Sequence, residues 1–280
     1  MPEAARASRS KGEIALSELD RLREVGVRFG TVLADAGYGS SAAFRHALVE
    51  RGLRFAVGIL CTQKVYAADV ALVPPPGRAR KLVPDQDPRT VEAVLDERPW
   101  RCVTWRQGTK GRLSARFSAL RVRVADGPGF GNNRHLPGEE VWLVGEWRSS
   151  GERKYYLSNL PARITRRALV GAIKARWVCE QAHQQLKEEL GLDHFEGRSW
   201  TGLHRHALMT CLAFAYLQHR RLAGMTLAGR GKNEGSASRT TALTELAGRS
   251  PGDHRAAARG SSPTRSAPLL PVPLPLTLAP

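Results

Sequence analysis

The chain has 280 residues, with 43 Lys or Arg against 26 Asp or Glu, a formal net charge of +17 and a pI near 10.6. A hydrophobic share of 42% excludes a wholly disordered chain, and no apolar run approaches the roughly 20 residues that cross a bilayer. The opening MPEAARASRSKGE lacks the apolar stretch of a signal peptide, so a cytoplasmic protein is expected, and the charge points to a polyanionic partner, nucleic acid before membrane surface.

In chain order, residues 12–25 place Ile14, Leu16, Leu19, Leu22 and Val25 at helical spacing. Residues 28–35, RFGTVLAD, form a strand with a short apolar core, and Gly37 and Gly39 make a turn after it. Ser41 caps a helix to about Arg51, which Gly52 ends, and residues 53–60, LRFAVGIL, form a second buried strand. A strand–helix–strand unit of this kind predicts a parallel pair in an α/β sheet.

Between 61 and 160 the chain becomes rich in proline, with β-type runs at 100–105, 117–124, 140–147 and 154–157. From Thr165 the helical period returns and should run to Leu190, stopping at Gly191. A further helix over about 202–221 carries Leu203, Ala207, Leu208, Cys211, Leu212, Ala215 and Tyr216 as its expected buried stripe. After Tyr216 there is no aromatic residue, and the ending LLPVPLPLTLAP precludes a helix there, so 223–280 is expected to be disordered. Cys61, Cys102, Cys179 and Cys211 have no CxxC spacing and are expected as buried free thiols rather than zinc ligands.

Two carboxylates stand where chemistry could sit. Asp35 lies at the carboxyl end of a buried strand, where open α/β sheets gather ligands; it either holds a hard divalent cation or caps the next turn. Glu180 shares a helix face with Arg176, His183 and Lys187. That face is either a solvated ion pair or a metal-binding acid flanked by cations for nucleic-acid phosphates. His194, His204 and His206 lack zinc spacing and suit a polar, DNA-facing loop with Arg198 and Arg205. Trp100, Trp105, Trp142 and Trp147, interleaved with Arg98, Arg101, Arg106, Lys110, Arg112 and Arg116, either stack unpaired bases or fill the core of the β-rich region.

Three ordered blocks resemble the DDE transposases of bacterial insertion sequences, in the group with a β-strand insertion before the last acidic residue. They are Val32-Leu-Ala-Asp35-Ala-Gly-Tyr-Gly39, then Arg176-x3-Glu180-x6-Lys187, and then residues 189–200 with Gly202-Leu-His-Arg-His206 after them. Residues 105–111, with Lys110, also look like this group, and the likeness spans about residues 12–221. The resemblance implies an α/β fold with an RNase H-like core, in which two Asp and one Glu hold two Mg²⁺ ions for DNA strand cleavage and transfer. Asp35 would be the second Asp and Glu180 the final acid, both metal ligands. Arg176 and Lys187 would contact phosphates of double-stranded transposon ends, with His183, Arg198, Arg205 and Lys110 also on the DNA, in a possible homodimer.

Two positions depart from the family pattern. Ile173 stands where the Tyr-Arg-Glu-Lys signature has its Tyr, and the one Asp before Asp35 is Asp20, in a helical segment rather than on a strand. The expectation is therefore a partial core lacking its first Asp: residues 12–60 as its first part, 61–160 as the β-rich insertion, 161–222 as its helical end and 223–280 as the tail. A non-catalytic DNA-binding protein derived from a transposase is the alternative.

Overall fold

A computed structural model describes residues 8–75, 81–108, 111–131, 134–245 and 276–277, with side chains as far as residue 223. They fall into two compact units that divide after Gln181, with residues 276–277 belonging to the first.

The first unit opens with α1 (Lys11–Glu24), started by a reciprocal cap: the Glu13 N–H donates to Ser10 Oγ at 3.2 Å and the Ser10 N–H to Glu13 Oε2 at 2.7 Å. Strand β1 (Val32–Ala34) follows, then the one-turn α2 (Ala36–Gly39), α3 (Ala42–Glu50) and β2 (Phe55–Ile59). Strands β1 and β2 run parallel with Val32 opposite Phe55 and Ala34 opposite Val57, as the strand–helix–strand pattern predicts. Ser41 caps α3, and Gly52, at φ +65, turns the chain out of it.

The next stretch contains β3 (Lys64–Ala67), β4 (Leu72–Val73), β5 (Val83–Pro84), β6 (Arg89–Thr90), α4 (Val91–Asp96), β7 (Arg101–Gly108), β8 (Gly111–Val124), β9 (Gly129–Gly131), β10 (Arg134–His135), β11 (Glu140–Trp147) and β12 (Arg153–Ser158). Strands β8, β11 and β12 form an antiparallel meander, and β12 pairs antiparallel with β2, Leu157 against Val57. One mixed sheet results, in the order β13-β1-β2-β12-β11-β8-β3-β6, with β7 also on β8 and the short β13 (Leu276–Thr277) parallel to β1. Asn159 stitches the β2–β12 junction, accepting from the Phe55 N–H at 2.6 Å and donating to the Leu53 carbonyl at 3.0 Å.

Alternation along the strands divides the core between the two faces of this sheet. Val32, Val57, Leu143 and Leu157 pack on one face with Leu19, Phe44, Leu48 and Leu95 from α1, α3 and α4. Leu33, Ala56, Phe117 and Val144 pack on the other with Leu169, Val170 and Ile173 from α5 (Arg166–Lys174). Ile173 is thus a core residue, only 5% exposed.

The expected single helix over 165–190 is broken. After α5 the chain steps into α6 (Trp177–Gln184), and one wide π-turn at Gln185–Glu189 precedes the stop at Gly191, φ +69. In the second unit, α7 runs from Trp200 to Glu245 without interruption by proline. The rest of the expected tail, residues 246–275 and 278–280, lies outside the described residues.

Two expectations need correction. The apolar stripe of α7 is not buried: Leu203, Leu208, Leu212 and Tyr216 are all exposed, because periodicity fixes a face but not what covers it. Cys61, Cys102 and Cys211 are also exposed, and Cys179 is half-buried, so the thiols are not core residues.

Candidate nucleic-acid interface

The chemistry converges on a cleft of about 860 Å³ in the first unit, at the carboxyl ends of β1 and β2. Asp35 sits there as the first residue after β1, and Glu180 reaches it from α6. The glycines beside Asp35 set its place. A Cβ on Gly39 would lie 2.1 Å from the Gly58 carbonyl oxygen, and one on Gly58 would lie 2.9 Å from the Ala36 nitrogen. Only bare backbone lets α2 lie this close to β2 and hold Asp35 at the strand end.

Of the two readings of Asp35, the structure shows the cap. Its Oδ1 accepts the Gly37 N–H at 2.9 Å, which makes it the cap of α2, and the same residue lines the cleft. Glu180 is half exposed and accepts a hydrogen bond from Arg176 Nη2, the predicted four-residue ion pair, although Arg176 stands in the turn before α6 and so the expected common helix face with Glu180, His183 and Lys187 does not form.

Around these two carboxylates stand six cations, Arg106, Arg148, Arg153, Lys154, Lys174 and Arg176. Several are packed on aromatic faces. Lys174 Nζ is 4.9 Å from the Trp105 ring centre, Arg106 is 4.4 Å from that of Trp177, and Arg153 is 4.5 Å from that of Trp147. The tryptophans are therefore neither pure core nor free stacking platforms. Trp100, Trp105, Trp142 and Trp147 are half-buried; Trp100 packs edge-on against Trp147 and Trp105 against Phe117, at 5.6 and 5.8 Å, and each of the four also lies within about 6 Å of a cation.

Behind the cleft lies a residue that the sequence did not single out. Glu146 on β11 is 1% exposed, and its carboxylate accepts from Lys174, Arg148 and Tyr156. Burial would raise its pKa, but the hydrogen bond and charge of Lys174, with Tyr156 and Arg148, hold it below the usual carboxylate range. Burial, and then the charge of Glu146, push the Tyr156 phenol strongly upward, so it remains a donor. Tyr155, also at the cleft, is raised to about 12 by burial and by Glu92. The missed signal was a single acid inside an apolar run, VWLVGEW at 141–147, that must find buried partners.

The remaining predicted residues lie elsewhere. His183, Lys187, Arg198 and Arg205 belong to the second unit and are exposed. His206 Nε2 donates to the Gly191 carbonyl, 2.9 Å away, and Phe195 lies 5.5 Å from its ring, so this histidine closes a loop. Lys110 lies outside the described residues. Asp20 is on α1, paired with Arg51.

Residues 1–112 of the chain match the family described as DDE superfamily endonuclease. The match takes in the Asp35 block and stops before Glu180. No curated protein matches the chain. This superfamily generally works with divalent metal ions, but the donor set here does not fit a two-metal centre. Among the described residues no three His, Cys, Asp or Glu side chains come together, and each cleft carboxylate already has a donor. Nor is any described helix long and apolar enough to cross a membrane.

Proposed function

We propose that this chain is a DDE-transposase-type protein that holds DNA at the nucleoid and carries two of the three acids of the nuclease centre, Asp35 and Glu180. The observation that carries the proposal is a carboxylate at the end of β1, in the block matching DDE superfamily endonucleases, lining the same cleft as a second acid and six cations. Cations in such excess over carboxylates suit a phosphate backbone, whose binding releases counterions. Arg176 and Lys174 would take phosphates beside Glu180, and Lys187, His183, Arg198, Arg205 and Lys110 are proposed as further contacts to double-stranded transposon ends, in a homodimer. The segments 12–60, 61–160, 161–222 and 223–280 are its core start, β-rich insertion, helical core end and tail.

With two acids, the chain is expected to bind DNA without cutting it, since two-metal cleavage needs ligands for both ions. The test is a pair of measurements on the full chain: duplex binding across a salt series in EDTA, and nicking of supercoiled plasmid with Mg²⁺. Salt-dependent binding without nicking is expected. Nicking that disappears in Asp35→Ala or Glu180→Ala would show a complete centre, and absence of salt-dependent binding would remove the proposal altogether.

A further inference from the structure

Two cations of the cleft wall are held by a charge that does not itself line the cleft. Glu146 Oε1 accepts from Lys174 Nζ at 2.7 Å and from Arg148 Nε at 3.1 Å, while Oε2 accepts from the Tyr156 hydroxyl at 2.8 Å. The three donors come from α5, from the turn after β11 and from β12, and all of them line the cleft. A carboxylate 1% exposed, on a strand between Gly145 and Trp147 and opposite Phe117 on β8, gains nothing from solvent. As a purely stabilising device it would be a poor choice, because apolar residues of similar volume commonly do as well in such places.

We propose that Glu146 is a positioning residue for DNA binding: its buried carboxylate holds Lys174 and Arg148 together at the cleft wall, where they take phosphates. The proposal rests on the reading that this cleft holds a DNA backbone. An ammonium has three N–H donors, so the one given to Glu146 leaves others for a phosphate. Trp105 supports the same ammonium from its ring face. The Lys174 side chain is only 16% exposed and shares Oε1 with Arg148. Without the carboxylate, two half-desolvated cations that share one acceptor repel each other, and neither is held at the cleft wall. The tyrosine keeps Oε2 occupied, which leaves Oε1 for the cations.

The experiment is fluorescence anisotropy of a duplex oligonucleotide with the full chain, from about 50 to 200 mM salt. The proteins are wild type, E146Q, K174M, the double variant and E146D, each checked for a cooperative thermal transition. Loss of one phosphate contact lowers the slope of log K against log salt by about 0.9. K174M should show that loss. E146Q should show at least as much, with affinity down about threefold to tenfold. The double variant should match E146Q rather than the sum of the two, and E146D, which keeps the charge, should recover the slope even if its melting temperature falls. A slope unchanged or steeper in E146Q while K174M lowers it overturns the proposal. If wild type shows no salt-dependent binding and K174M changes nothing, the reading of the cleft itself has failed.

Discussion

Arg51 grips Asp20 with two parallel hydrogen bonds, Nε to Oδ1 at 2.9 Å and Nη2 to Oδ2 at 2.8 Å. The pair ties α1 to the end of α3 and commits both carboxylate oxygens of the one aspartate that precedes Asp35 among the described residues. The hydrogen bond from Arg51 holds Asp20 below the usual carboxylate range. Asp20 is therefore a structural acid. Asp20→Ala should lower unfolding free energy by about 0.5–1 kcal/mol, the upper range for a partly exposed pair of good geometry, and leave duplex affinity unchanged. Urea denaturation and anisotropy measure the two effects separately; a loss of affinity would return Asp20 to the site.

The buried Glu146 cluster sets an acid limit on stability. Its carboxyl is held below the ordinary value by Lys174, Tyr156 and Arg148 against the opposing effect of burial. An acid whose folded pKa is lowered contributes stability above its unfolded value, about 4.3, and loses it as pH falls through the folded one. Wild type should therefore weaken below about pH 5, and E146Q should show a flatter acid limb, since the neutral amide has no such proton to take up. At neutral pH, Glu146→Ala should cost about 3–5 kcal/mol, because it leaves buried cations uncompensated. Thermal unfolding across the pH series checks both; parallel acid limbs would show that Glu146 is not the titrating group.

Gly39 is the tightest point near the candidate site. A methyl group there would overlap the Gly58 carbonyl at 2.1 Å and Val57 Cβ at 2.7 Å, and backbone cannot swing away as a side chain can. Gly39→Ala should destabilise by about 1–3 kcal/mol or more through overpacking. Gly26, at φ +81 with nothing within 4 Å of where a Cβ would stand, is the comparison: Gly26→Asn, a residue tolerant of that backbone, should cost far less. Chemical denaturation of both variants decides it, and equal losses would mean that close approach is not what fixes Gly39.

The β1–α3–β2 unit was legible because each signal was local: continuous apolar strands, a serine cap, a glycine at positive φ. Asp35 was legible for the same reason, standing where such a strand ends. What could not be read was pairing across distance. The pairing of Leu157 with Val57, which joins the meander to β2, depends on contacts a hundred residues apart. Strand β8 is longer than its apolar run, because Arg112, Ser114 and Arg116 alternate with Gly111, Leu113 and Ala115 on a largely exposed ribbon. Glu146 was not legible because its partners, Lys174 and Tyr156, become its neighbours only when α5 and β12 close on the sheet. The stripe of α7 was visible, but its cover is not a local property of sequence.

Asp35 and Glu180 offer the sharpest separation of structural from functional roles. Asparagine caps a helix about as well as aspartate does, so Asp35→Asn should keep the bond to the Gly37 N–H and the stability, whereas Asp35→Ala should lose about 1 kcal/mol. Both Asp35→Asn and Glu180→Gln remove a negative charge from a cleft walled by cations, and duplex affinity at low salt should rise by about twofold to fivefold. Mg²⁺ should weaken binding smoothly, as a counterion competing for phosphates, and to the same degree in wild type and both variants. Anisotropy titrations with Mg²⁺ and with EDTA test this directly. A Mg²⁺-dependent gain in affinity in wild type, absent from Asp35→Asn, would mean that the two carboxylates hold a metal after all, with a third ligand supplied from beyond the described residues or by the DNA itself.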